Sequence, residues 1–150
     1  MIGVGNPWRC DDGAGLAVAR LLAGTLPDGV EVLEREGEPA SLIDAWEGAD
    51  SVWVADAISS GAAAGTVRRL DASAQELPPE LFRTSTHHLG LAEAVELARA
   101  LGRLPQRLVV YGVEGASFAI GDELTAEARS GSEQAAAEIR EEVLACTNTR

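Results

Sequence analysis

"IGVGNPWRCDDGAGLAVARLL", residues 2–22, is the stretch on which the fold turns. A short apolar run from Ile2 to Gly5 reads as a strand, and the apolar spacing from Gly15 to Leu22 reads as a helix. Strand, glycine-rich turn and helix together are the opening unit of an α/β sheet. The turn between them carries Asp11 and Asp12 side by side, so it is built either to cradle a phosphate or to hold something positive. A dinucleotide fingerprint wants G-x-G-x-x-G opening a helix; here the third glycine is absent and Pro7 and Trp8 fill the turn. Two carboxylates would also stand beside any bound phosphate, and that repulsion is comparable to the gain from backbone amides. The turn suits a cation.

Further along, Val30 to Leu33 reads as a strand, Ser41 to Trp46 as a helix and Val52 to Ile58 as a strand. This alternation predicts parallel strands joined by helices. The strand from Thr66 to Leu70 follows only "SSGAAAG", which has no room for a crossover helix, so it runs antiparallel. In "STHHLGLAEAVELARALG", Leu91, Val95, Ala98 and Leu101 share one helical face and Gly102 is the stop. "RLVVYGV" is a last buried strand. A C-terminal helix follows, with Ala135, Ile139, Val143 and Cys146 on its core face and Ser130 and Glu133 spaced as a capping box. The expected fold is α/β and three-layered: residues 1–150 form one domain around an about five-stranded, mostly parallel sheet with one antiparallel strand and helices on both faces. In a flavodoxin-like order, the first strand and "VWVADAI" would be neighbours at the switch point. "DASAQELPPELFRTST" is the one long irregular stretch.

Composition narrows the function. Twenty-four acidic against twelve basic residues give a net charge of -12, a field that repels nucleic acid and anionic lipid. No stretch approaches the roughly 20 apolar residues of a membrane span, and the N-terminus lacks the basic and apolar regions of a signal peptide, so a cytoplasmic protein without membrane or nucleic-acid partners is expected. Cys10 and Cys146 lie at opposite ends with no zinc-ligand spacing and read as reduced thiols, Cys146 as part of the core.

In such a sheet, ligands collect beyond the carboxyl ends of the strands. Asp11 and Asp12 follow the first strand, Asp56 closes "VWVADAI", and His87 and His88, the only histidines, open the helix leading to the last strand. Each has a plain alternative: either turn aspartate can cap the next helix, Asp56 can be satisfied by a nearby turn, and a histidine can simply start a helix. Taken together, two carboxylates and an imidazole make a mixed oxygen and nitrogen site for a divalent transition metal. Glu114, ending the last strand, either adds an oxygen or lines the cleft. Neither a G-x-S-x-G elbow nor an HExxH helix is present.

"GVGNPWRCDDGAG", "VWVADAI" and "STHHLGL", in that order, resemble the hydrogenase maturation proteases, which trim the C-terminus of the large subunit of nickel-iron hydrogenases. The resemblance runs from Gly3 to about Leu124. It implies metal-binding residues at Asp12, Asp56 and His87, with Asp12 and Asp56 as the catalytic pair and His88 as second choice for the imidazole. It also implies nickel carried by the substrate precursor and not permanently bound, the [NiFe] hydrogenase large-subunit precursor as partner, and a monomer. The alternative is a non-enzymatic nickel-binding or hydrogenase-assembly module with the same cleft. Two departures stand out: only Met1 and Ile2 precede the first glycine, so the start is expected upstream, and Cys10 places a thiol beside the acidic pair.

Overall fold

The computed structural model describes residues 1–82 and 89–150. In chain order these form β1 (Ile2–Val4), α1 (Ala14–Leu22), β2 (Leu33–Arg35), α2 (Pro39–Trp46), β3 (Ser51–Ile58), β4 (Val67–Asp71), α3 (Leu91–Ala100), β5 (Arg107–Glu114) and α4 (Ala126–Asn148). Single 3-10 turns lie at Cys10–Gly13 and Pro79–Phe82. The five strands make one sheet in the order β2-β1-β3-β5-β4, parallel except for β4, which runs antiparallel along β5. The antiparallel strand is the one the short "SSGAAAG" connection predicts. The β1–β3 neighbourhood is also as expected, whereas the far edge departs from the flavodoxin-like order because β5 inserts between β3 and β4.

Alternate residues of the central strands point to opposite faces, which gives a core on each side. Val52, Val54 and Ile58 of β3 and Leu108 and Val110 of β5 pack with Leu42 and Trp46 of α2 and with Leu91 and Val95 of α3. Trp53, Ala55, Val109, Tyr111 and Val113 pack with Val18 and Leu22 of α1 and Ile139 and Val143 of α4. Cys146 packs against this second core, as its helical spacing predicts. No helix among the described residues is long and apolar enough to cross a membrane.

Four local readings need correction. β2 begins at Leu33, not Val30: Leu33 N–H donates to Met1 O, while Val30 N–H turns back to Pro27 O and leaves the ladder. α4 begins at Ala126, capped by Thr125 Oγ1, so Ser130 and Glu133 lie inside the helix and form no capping box. Leu101 is the residue on which α3 ends and is 56% exposed, not core. The irregular stretch before α3 is partly built: Leu77, Leu81 and Phe82 are buried in the α2/α3 core.

One polar cluster fastens α4 to the sheet. Glu142 accepts hydrogen bonds from Tyr111 Oη (2.6 Å), Trp53 Nε1 (3.0 Å), Arg107 Nη2 (3.2 Å) and Arg69 Nε. Partial burial opposes its charge, but the bonds from Arg69, Tyr111 and Trp53 prevail and hold its carboxyl at about 2, below the ordinary 4.5. A carboxyl lowered on folding stabilises the protein above its unfolded value, and that contribution fades as the pH falls from about 4.5 toward 2. In urea unfolding from pH 7 to pH 3, the stability difference between wild type and Glu142→Gln is therefore expected to shrink below about pH 4.5. A difference independent of pH would contradict the pairing.

Candidate active site

The site grows out of the turn after β1. The glycines at its two ends serve packing: a Cβ on Gly15 would fall 2.2 Å from Val4 O and 2.3 Å from Ala55 O, and one on Gly3 would fall 2.3 Å from Gly15 O. α1 thus lies directly on β1 and β3, and its first turn is drawn to their carboxyl ends. Within the turn, Asn6 Oδ1 accepts from Trp8 N–H (2.9 Å), and Asn6 N–H donates to Asp12 Oδ2 (3.2 Å). A Cβ on Gly5 would fall 2.1 Å from Asp12 O, so the strand end and the Asp12 backbone pack this closely only around a glycine.

The two adjacent aspartates go separate ways. Asp11 is fully buried, and its carboxylate accepts from Thr125 N–H (2.7 Å), Ala116 N–H (2.8 Å), Thr125 Oγ1 (2.8 Å) and Ser117 N–H (3.1 Å). Burial works to raise its carboxyl, yet these bonds hold it below the usual range. Asp11 therefore ties the segment after β5 and the start of α4 to the β1 turn; neither aspartate caps α1, whose first turn has no side-chain cap. Asp11→Ala would leave three partly buried N–H groups without their acceptor and is expected to cost about 3 kcal/mol. Denaturant unfolding measures this, and a loss below about 1 kcal/mol would show that the segment holds without it.

Asp12 instead faces Asp56. Asp12 is 3% exposed and Asp56 6%. Both line a small cleft with Val4, Gly5, Glu36, Gly37, Phe82 and the Leu89–Gly90–Leu91 start of α3. It sits at the carboxyl ends of β1 and β3, where the strand order reverses. Asp56 Oδ1 accepts from Ala57 N–H at 2.8 Å. Burial, with the charge of Asp12 second, raises the Asp56 carboxyl well above the ordinary carboxylate range, and the Ala57 bond only partly opposes this. The cleft holds about 20 Å³, room for an ion or a water and far too little for a nucleotide. A cavity of about 510 Å³ opens at the opposite, amino end of the sheet around Met1, Gly29 and Val52, away from both aspartates, so size does not locate the chemistry.

His87 and His88 lie outside the described residues, between Phe82 and the start of α3. Among the described residues, no three His, Cys, Asp or Glu side chains gather closely enough to hold a metal ion. Glu114 is engaged elsewhere: Oε1 accepts from Ser60 N–H (2.8 Å) and Gly61 N–H (3.2 Å), and Oε2 from Ser60 Oγ (2.7 Å), so it pins the loop after β3. Cys10 has a positive φ of 46° and its Sγ packs near Gly121, on the wall of a separate groove against Leu16. Sequence reading missed Glu36, a third carboxylate on the cleft. It follows β2 directly, and the rule that finds Asp12 and Asp56 finds it too once β2 is placed at Leu33–Arg35.

Residues 17–142 match the family model described as hydrogenase maturation protease. This chain belongs to that family. Membership makes it a peptidase, and the matched span includes Asp56 but begins after Asp12. Hydrogenase 2 maturation protease of Escherichia coli (strain K12) is 34% identical over 118 residues, covering 75% of this chain and 70% of that protein. Hydrogenase expression/formation protein HupM of Azotobacter chroococcum mcd 1 is 30% identical over 122 residues, but the match spans only 57% of its length. Among solved structures, an endopeptidase from Escherichia coli superposes with a TM-score of 0.78 at 28% identity, over 92% of this chain and 86% of that one. The [NiFe] hydrogenase maturation protease HycI from Thermococcus kodakarensis KOD1 gives 0.72 at 26% identity, over 93% and 88%. These superpositions bear out the expected sheet and its flanking helices.

Proposed function

We propose that this family member is the endopeptidase that removes the C-terminal extension of a nickel-loaded [NiFe] hydrogenase large-subunit precursor, and that Asp12 and Asp56, with His87, meet the nickel that the substrate brings. The observation that carries the reading is the buried pair itself. Two carboxylates share a cleft of about 20 Å³, and burial, with the charge of the other acid second, raises the Asp56 carboxyl well above the ordinary carboxylate range. Such a pair is costly to ionise alone and is relieved by a divalent cation. Oxygen ligands from two aspartates and a nitrogen from an imidazole suit nickel, which accepts such mixed sets.

In this reading nickel is substrate cargo. The cation's charge favours the ionised form of Asp56, and Asp12, held by Asn6 N–H, keeps its place across the cleft. The acids fix the loaded precursor so that the bond to be cut lies against the same cleft, and the peptidase activity common to the family is directed to it. The test is to incubate the protein with nickel-loaded precursor and follow loss of the extension by mass spectrometry. A precursor that is bound but never cut would leave the non-enzymatic assembly module as the better account.

A further inference from the structure

A peptidase that acts on one folded precursor needs a surface that holds the polypeptide beside the cleft. The turn that delivers Asp12 also carries Trp8, which is 67% exposed, and Ile120, between β5 and α4, is 94% exposed. Large apolar side chains this open mark a contact surface where they are gathered together. The two are neighbours by backbone pairing: Cys10 N–H donates to Gly121 O and Gly121 N–H to Trp8 O, both at 2.9 Å, and Arg9 pairs in parallel with Gly121. Trp8 and Ile120 are the residues that directly precede this bridged pair on the two segments. The backbone pairing therefore brings the two segments together.

Charge selects its partner. Asp122 and Glu123, just past Ile120, are exposed and make no ion pair among the described residues. Arg9 turns part of its guanidinium inward, with Nη1 out of water. An apolar pair edged by free acids fits a bulky apolar side chain next to lysine or arginine. The turn that bears Trp8 is tied to the cleft wall through Trp8 N–H on Asn6 Oδ1 and Asn6 N–H on Asp12 Oδ2.

We infer that Trp8 and Ile120 form the docking point for the precursor polypeptide, taking a bulky apolar side chain of the substrate while Asp122 and Glu123 attract an adjacent basic residue. This rests on the function proposed above, with the hydrogenase large-subunit precursor as substrate. Trp8→Ala/Ile120→Ala is expected to raise KM for that precursor at least 10-fold and to leave kcat within about twofold, because the Trp8 backbone N–H still supports Asn6. Asp122→Asn/Glu123→Gln is expected to weaken the salt dependence of KM. Thermal unfolding should match wild type in both, since the four side chains are exposed. If wild type and both variants cut the precursor with equal KM, the patch is wrong and the endopeptidase reading stands. If the precursor binds without being cut, and the variants weaken that binding, the patch stands and the endopeptidase reading falls. No binding at all overturns both. A wild-type dimer in sedimentation that Trp8→Ala/Ile120→Ala converts to monomer would assign the patch to a second copy of the chain and overturn the inference.

Discussion

Asp56→Ala is expected to abolish precursor processing, by more than 100-fold in kcat/KM, while the protein stays folded. Asp56 sits in the ladder between β3 and β5 opposite Gly112, and the strand's backbone bonds do not depend on its side chain. Among the described residues the side chain accepts one hydrogen bond, from the N–H of its own neighbour Ala57, and burial and the charge of Asp12 both work against its ionised form. Removing an acid held at such a cost leaves stability nearly unchanged or slightly improved, as strained functional groups do. Asp56→Asn sharpens the test, because its amide oxygen keeps the Ala57 N–H satisfied but cannot become a charged ligand. Processing near the wild-type rate in either variant, with wild-type thermal unfolding, would remove Asp56 from the site.

The difference between the two turn aspartates shows where sequence reading stops. Their types and spacing say that the turn prefers a cation, and the alternation of apolar runs says that it opens a parallel sheet; both follow from local pattern. Which aspartate faces the cleft depends on Ala116, Ser117 and Thr125, more than a hundred residues away, whose donors claim Asp11. No periodicity in residues 2–22 encodes that choice. The same contact explains the misplaced start of α4: Thr125 is fixed by Asp11 and caps the helix, so the Ser130 and Glu133 spacing, a sound local signal, is overridden. Glu36 was hidden for a smaller reason. The hydrophobic run ending at Leu33 is read as the strand itself, whereas Val30 and Val32 pack below the sheet and the ladder begins where the run ends.

A precursor without nickel is expected to be neither cut nor tightly bound, and this follows from how little the protein offers an ion by itself. Among the described residues, the carboxylates on the cleft are Asp12, Asp56 and Glu36, and burial and the charge of Asp12 work against the ionised form of Asp56. Free nickel must enter against that burial and then find most of its coordination sphere in water, so its affinity for the isolated protein is expected to be low. Nickel seated in the precursor arrives with the rest of its ligands, and its charge offsets the repulsion between Asp12 and Asp56 at the moment of docking. In the function proposed above, the metal is thereby the condition for recognition. Three measurements decide it: dialysed protein should be metal-free by elemental analysis, nickel added to the protein with an unloaded precursor should not restore cutting, and loading the precursor should. Protein that keeps stoichiometric metal through dialysis and cuts the unloaded precursor would make Asp12 and Asp56 ligands of a resident ion, and the gating account would fail.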